Sequence, residues 1–370
     1  MRISLERRGS VKIWNLIGVP LGSVIFGTLV GGLFIQLTGH SAVDVFTTMA
    51  KTSYTTLYGL GDTLAAATPL IFTAMAALVA FKVNLYSIGA EGQLYVGAIT
   101  STWAAILFGS SSPLIAIPIV ILAGAAGGML WMLLPALFRA WFSTSEIITT
   151  LMFNFIALYL MRYLIYGSHS FWRDPTSTNF PQGKQIDENS YLPRFGTQSV
   201  HWGFVLAVAA SLLIWLMLKK TRFGFHMKVL SDAPNAARYA GIPVKRLTLW
   251  VLLLSGAIAG IAGASEVAGR AHALDPNGLA IGFGYAGIIV ATLARLNPIG
   301  AIVIAIGFGG LQNSASALQS IGGSNPVPSS IATTLQGLIL LLALAGELFV
   351  RYRIKISRGD RKSTRLNSSH

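Results

Sequence analysis

Cysteine is absent from the sequence, and among its 370 residues only 13 are acidic. The missing thiols exclude disulfides, thiolate metal sites, iron–sulfur clusters and a cysteine nucleophile. The six histidines (His40, His169, His201, His226, His272, His370) are scattered without HExxH or paired spacing, so no metal site is expected. No GxxxxGK[ST] phosphate cradle occurs either, so energy for uphill work has to come from a partner or an ion gradient. A convincing nucleophile–base pair is also missing, which argues against an intramembrane enzyme, and no cofactor is expected. Charge of either sign is scarce. Charged residues make up 11% of the chain and apolar ones 53%, whereas a soluble domain carries roughly a quarter charged residues. This is the balance of a bilayer protein. The net charge of +14 would suit a nucleic-acid partner only if the basic residues formed a face or stripe. They lie in loops instead, and no nucleic-acid partner is expected.

What the chain does have is long apolar runs. A spanning helix needs about 20 apolar residues, and candidate spans fall at 13–37, 63–81, 85–108, 113–135, 146–166, 201–218, 248–269, 279–294, 298–317 and 329–350. The expected fold is all-α and polytopic, with about ten transmembrane helices. A cytoplasmic segment 1–12 precedes a membrane domain 13–356. The eighth span, "IGFGYAGIIVATLA", is short and broken by glycine, as a half-helix or re-entrant segment would be; irregular backbone at that depth must be shielded by protein or face a wet cavity. The first span reads as an uncleaved signal-anchor, because it is too long for a signal peptide and lacks an A-x-A site. Its Gly18/Gly22 and Ser23/Gly27/Gly31 spacings suit close helix packing. An even number of spans puts both termini on one side. If that side is the cytoplasm, 21 basic residues lie inside and 6 outside, which satisfies the positive-inside rule.

Two loops are long. The external one, 167–199 ("GSHSFWRDPTSTNFPQGKQIDENSYLPRFGTQS"), is either a structured cap that meets an external partner or a linker. The cytoplasmic one, 219–248, contains "SDAPNAARYAGIPV". Ser231 or Asp232 is placed to cap a helix there, Pro234 suits its first turn, and Gly241 followed by Pro243 ends it. Two turns are marginal in water unless docked. The dock is either the chain's own membrane domain or a groove on a cytoplasmic partner, with Arg238 and Tyr239 as directional contacts. The tail 357–370 is polar and patternless; "DRKSTRLNSSH" resembles translated sequencing adapter rather than evolved protein and is expected to lie outside the fold.

Polar residues inside the apolar runs are the candidates for function. "NLYSIGAEGQLYVG" places Glu91 and Gln93 deep in apolar sequence, although an ionised group there costs roughly 2.5 kcal/mol or more. On a helix Ser87, Glu91 and Tyr95 share a face, with Gly89 and Gly92 beside it. Either Glu91 pairs with a backbone amide or an arginine at a helix break, or Ser87, Glu91 and Gln93 line a path and hydrogen-bond a neutral, hydroxyl-rich solute. Asn154 is a further path candidate, or an interhelical hydrogen bond. Glu146, three residues after Ser143 in "STSE", has capping-box spacing. Glu266 and Asp275, near the outer end of the seventh span, read either as contacts for an external binding protein or as solvated loop charges, and Glu347 as an ion pair with Arg351.

Five passages taken in order, "SIGAEGQLYVGA", "TSEIITTLMFNFIALYL", "PNAARYAGI", "SGAIAGIAGASE" and "GFGYAGIIVATLARLNPIGA", resemble the permease subunit of bacterial ABC importers, in the nucleoside and simple-sugar branch related to ribose-type permeases. The resemblance implies a type II-like permease in the bacterial inner membrane, dimeric with a second copy or a related chain. It implies separate ABC ATPase subunits beneath and an extracytoplasmic binding protein or lipoprotein above. It also makes "AARYAGI" a coupling helix, with Asn235, Ala236, Ala237, Arg238, Tyr239 and Gly241 as contacts to the ATPase. The family reads "NIGxEGQ" where this chain has Ser87 in place of the asparagine. The competing expectation is an ion-coupled secondary transporter with Glu91 as its titratable group.

Overall fold

The computed structural model describes residues 2–7, 13–177, 179–196, 199–318 and 352–357, with isolated helical turns between 330 and 346. It divides into two units, 1–42 with 337–370, and 43–336. In the first unit, β1 (Arg2–Arg7) pairs antiparallel with β2 (Tyr352–Ser357) in the register Arg2 to Ser357 and Arg7 to Tyr352, and α1 (Ile13–Leu37) follows β1. This small sheet is an addition to the expected N-terminal segment. The tenth expected span, 329–350, is described only in isolated helical turns, and the Glu347–Arg351 pair lies outside the described residues.

The second unit is helical throughout its regular structure. Its elements are α2 (Ala42–Ala50), α3 (Leu57–Phe81), α4 (Ala90–Phe108), α5 (Pro113–Phe142), α6 (Glu146–Arg162), α7 (Trp202–Lys220), α8 (Arg222–Asp232), α9 (Pro234–Tyr239), α10 (Val244–Glu266), α11 (Pro276–Leu279), α12 (Phe283–Leu293) and α13 (Pro298–Leu318). Among the described residues six segments are long and apolar enough to cross a membrane: 57–81, 113–142, 146–167, 202–220, 244–271 and 276–293. The apolar runs thus become helices where expected, although several extend further than read. Thr56 starts α3 by accepting from the Gly59 amide at 3.0 Å, and Ser143 closes α5 in the left-handed region at φ 54°. Ser143 therefore cannot form the expected capping box with Glu146. The N-cap of α6 is Ser145, whose side chain caps nothing.

Lipid tails are as apolar as leucine, so helices in a membrane associate by close packing rather than by the hydrophobic effect. The core reflects this. Buried without interruption from Ala65 to Phe81, α3 lies among α10, α12 and α13, and α4, α5 and α10 meet through Gly97, Gly124, Gly128, Gly256 and Gly260. A Cβ on Gly260 would collide with the carbonyl of Gly124, and one on Gly128 would meet the Gly256 carbonyl and lie 2.7 Å from the Gly260 Cα. The outward faces of α5, α6 and α7 carry Leu122, Leu130, Ile148, Met152, Ile156 and Leu213, all exposed and all apolar.

Candidate functional site: a broken-helix junction, an outer cap and a short peg

Between α3 and α4, residues Leu85–Ile88 carry no regular structure, yet Ser87 is buried. Backbone without helix or sheet partners must find others when water is excluded. One face of α6 supplies them. Glu146, Thr150 and Asn154 stand at i, i+4 and i+8, the spacing of a helical stripe. Glu146 Oε1 accepts from the Tyr86 amide at 3.0 Å, Thr150 Oγ1 from the Ile88 amide at 3.1 Å, and Asn154 Oδ1 from the Gly92 amide at 2.9 Å. Asn154 Nδ2 donates back to the Ile88 carbonyl at 2.8 Å. Glu146 is anchored in turn by Arg139 Nε at 3.2 Å from its other oxygen. Its role is this tertiary bridge rather than local capping.

Glu91 answers a second break. It is 2% exposed in the first turn of α4. One carboxylate oxygen accepts from Tyr95 Oη, one helical turn on, and the other accepts from the amide of Gly284, the second residue of α12. A carboxylate at a helix N-terminus meets both unpaired N–H groups and the positive end of the macrodipole. Among the described residues no arginine is bonded to it. Gly284 has to be glycine, because a Cβ there would strike the Glu91 backbone amide. Tyr285 Oη lies 3.4 Å from Asn154 Nδ2, so α4, α6 and α12 share one polar network.

The four expected path residues are therefore neighbours with unequal occupations. Ser87 lies before α4 rather than on its face, contrary to the helical reading, and its Oγ accepts from the Gly89 amide at 3.3 Å. Glu91 and Asn154 are bonded as above. Gln93 donates from Nε2 to Met132 Sδ at 3.0 Å, while its Oε1 is buried with no partner among the described residues. Beside it lies a narrow crevice with no room for a water-sized group, lined by Gly89, Gln93, Trp131, Met132, Pro135, Thr150, Phe153 and Asn154. Sequence reasoning missed Thr150 and Tyr285, although the polar stripe Glu146–Thr150–Asn154 was there to be read.

At one rim the segment 167–199 is tied to α4 and to the chain just after α10. Trp172 Nε1 donates to the Ile99 carbonyl at 2.9 Å, and Asn189 Nδ2 to the Gly109 carbonyl at 3.1 Å. The Ile186 and Leu192 amides donate to the carbonyls of His272 and Ala268, both at 2.9 Å. It is a structured cap and not a free linker. His201 beneath it is fully buried; its Nδ1 accepts from the Gly203 amide at 3.1 Å and so starts α7. Burial holds its imidazole down to about 4, with Arg194, His272 and Arg270 adding repulsion. Glu266 is buried at 2% exposure with Oε2 3.8 Å from Arg270, so the expected solvated charge is corrected. Asp275 is exposed and caps α11 at the Asn277 amide, 3.0 Å away.

At the other rim α9 is a peg of six residues. Pro234 occupies its first turn. Ser231 and Asp232 belong to the end of α8, so the expected cap falls instead to Ala233, whose methyl caps nothing. The peg ends in a Schellman motif: Ile242 donates to the Ala237 carbonyl at 3.0 Å, Gly241 to the Arg238 carbonyl at 3.1 Å, and Gly241 sits at φ 74°. Asn235, Ala236, Arg238, Tyr239 and Gly241 are exposed, Tyr239 at 94%. Ala237 is fully buried, so it seats the peg on its own chain and is corrected as an outward contact.

Known proteins bear on this arrangement directly. Residues 59–344 match the family described as the branched-chain amino acid transport system / permease component. The glucose ABC transporter permease protein TsgB13 of Haloferax volcanii is 32% identical over 369 residues, covering 96% of this chain and 94% of the relative. The guanosine ABC transporter permease protein NupP of Bacillus subtilis is 30% identical over 364 residues, covering 96% and 100%. The nucleoside ABC transporter permease protein NupB of Lactococcus lactis is 29% identical over 316 residues, covering 82% and 85%. A helical membrane architecture matched over more than three quarters of its length by one family places the chain among the ABC-transporter permease components of that branched-chain amino acid permease family.

Proposed function

We propose that this chain is the membrane-spanning subunit of an ATP-driven importer for nucleosides or simple sugars, working with separate ABC ATPases, a second permease chain and an extracytoplasmic binding protein or lipoprotein. The observation that carries the reading is α9. A six-residue helix is too short to persist unaided, and this one holds Tyr239 and Arg238 out into solvent on a base seated by Ala237. Large aromatic and arginine side chains on a rigid support are what a protein groove engages. The relatives named for glucose, guanosine and nucleosides support the choice of cargo. The paired β1 and β2 support termini on one side of the membrane, and the positive-inside rule supports the cytoplasm as that side of a bacterial inner membrane.

Within this reading Ser87, Glu91 and Asn154 hold the broken backbone of the path wall, and Gln93 Oε1 is the acceptor left for a hydroxyl-bearing solute. The cap over the opposite rim receives the binding protein. Contacts of the ATPase that differ between outward- and inward-open forms shift the permease between them. Replacing Arg238 by Glu should leave the assembled complex intact in the membrane and uncouple ATP hydrolysis from uptake. Wild-type uptake by that variant in vesicles holding the full transporter would remove α9 from the mechanism.

A further inference from the structure

Beside the peg, a recess of about 710 Å³ opens between the end of α3 and the α7–α8 corner. Its walls are of two kinds. Phe81, Leu218, Phe225, Met227 and Leu296 are apolar, whereas Lys82, Lys219 and Lys228 make the same lining strongly basic. Asp232 is the one carboxylate in the lining among the described residues, and none of the three lysines is ion-paired with it there. Asn84, Thr221 and Ser231 add polar atoms. The corner is fixed: Asn84 Nδ2 donates to the Ser231 carbonyl at 3.1 Å and its Oγ at 3.2 Å, and Thr221 Oγ1 accepts from the Gly224 amide at 3.1 Å. Lys219 Nζ stands 4.5 Å from the centre of the Trp215 ring, so its stem follows the end of α7. Burial holds the Lys82 ammonium below its ordinary value, as expected where no anion compensates it.

The location narrows the ligand. The spans 57–81 and 202–220 both end at this recess, which places it where acyl chains give way to headgroups. Lysines without a carboxylate partner among the described residues, beside an apolar wall at that level, match a phosphodiester on a diacyl chain. We propose that this recess binds the phosphate of an anionic phospholipid, with Lys82, Lys219 and Lys228 on the headgroup and the Phe81–Leu218–Phe225 wall against the upper acyl chain. The lipid would brace the α7–α8 corner from which α9 projects. The site rests on the end of the spans and not on the cargo or the ATPase, so it stands or falls separately from the importer reading.

The test is lipid retention by the full chain in detergent, read by native mass spectrometry after exposure to equimolar phosphatidylglycerol and phosphatidylcholine. The wild type should keep phosphatidylglycerol in preference. K82Q/K219Q/K228Q should lose that preference, by about fivefold for each lysine. Lys→Arg at the same three positions should restore it, which separates charge from folding. K245Q/R246Q, on the same rim but outside the recess, should change nothing. Millimolar inorganic phosphate should not displace the lipid; displacement would make this a free-phosphate site and overturn the acyl-chain half of the proposal. Equal retention of the two lipids by the wild type, or an unchanged preference in the triple Gln variant, would overturn it entirely.

Discussion

A buried carboxylate is tolerated only where its charge has somewhere to go, and for Glu91 that place is another helix's end. The Gly284 amide and Tyr95 Oη together take both oxygens. Charge at a helix N-terminus contributes roughly 0.3–2 kcal/mol, whereas leaving a buried amide unsatisfied costs about 1–3 kcal/mol. Glu91→Gln, which keeps an acceptor for Gly284, should therefore destabilise less than Glu91→Ala in thermal unfolding of the purified chain. A glutamine variant as unstable as the alanine one would mean that the charge itself, and not the acceptor, holds α12. At the opposite rim His201 gives a prediction with a pH axis. Its ordinary value is about 6.5 and the fold holds it at about 4. Between those values the unfolded chain binds a proton that the folded chain does not. Its contribution is thus fully present above pH 6.5 and lost as pH falls toward 4, by at most about 3 kcal/mol. Protonating Nδ1 also removes the acceptor for the Gly203 amide. Hydrogen-exchange protection factors of 199–206, referenced to the intrinsic rate at each pH, should fall from pH 7.5 to pH 5 in the wild type, and His201→Asn, which can still cap, should flatten that trend. An equally steep trend in the asparagine variant would assign the effect elsewhere.

At the scale of elements, tight approach matters more than bulk. The α4–α5–α10 cluster meets through glycine backbones, and Gly260 sits against both Gly124 and Gly128. Gly260→Val should force these helices apart at a cost of about 1–3 kcal/mol or more and reduce the yield of folded protein by size-exclusion profile. Gly307, whose added Cβ would meet nothing within 4 Å, is the control. Helices with long apolar runs were legible in the sequence because length and composition define them. The amphipathic α8 was not: "RFGFHMKVLSD" has neither the length nor the apolarity of a span, and it absorbed Ser231 and Asp232 that local spacing offered as caps for α9. The capping box at Ser143 failed for a related reason. Ser143 closes α5, and Glu146 is drawn to Arg139 and to the Tyr86 amide, a partner 60 residues away that no local spacing encodes. At the junction, sequence reading brought Glu91, Gln93, Ser87 and Asn154 together as candidates. It could not assign which atoms the chain itself uses, since that depends on α12 arriving from nearly 200 residues downstream.

At the scale of the molecule, the arrangement places two rims of opposite character on one helical body. One is a cap tied to α4 by Trp172 and Asn189; the other gathers Lys82, Lys219, Lys220, Arg222, Lys228, Arg238, Lys245 and Arg246 around α8 and α9. The proposed importer requires that only the second rim meet the cytoplasm, so the sidedness of these two patches is a direct demand of that proposal. The chain lacks cysteine, and that absence supplies the probe. A single cysteine placed at Lys184, in the cap, should react with a membrane-impermeant maleimide added to intact spheroplasts. One placed at Lys228 should react only after the membrane is opened. Labelling of Lys228→Cys in sealed cells would invert the protein. The peg would then face away from ATP, and a nucleotide-driven cycle through α9 would be impossible for this chain. Protection at both positions would instead mean that the cap is covered by a partner, which removing the binding protein should expose.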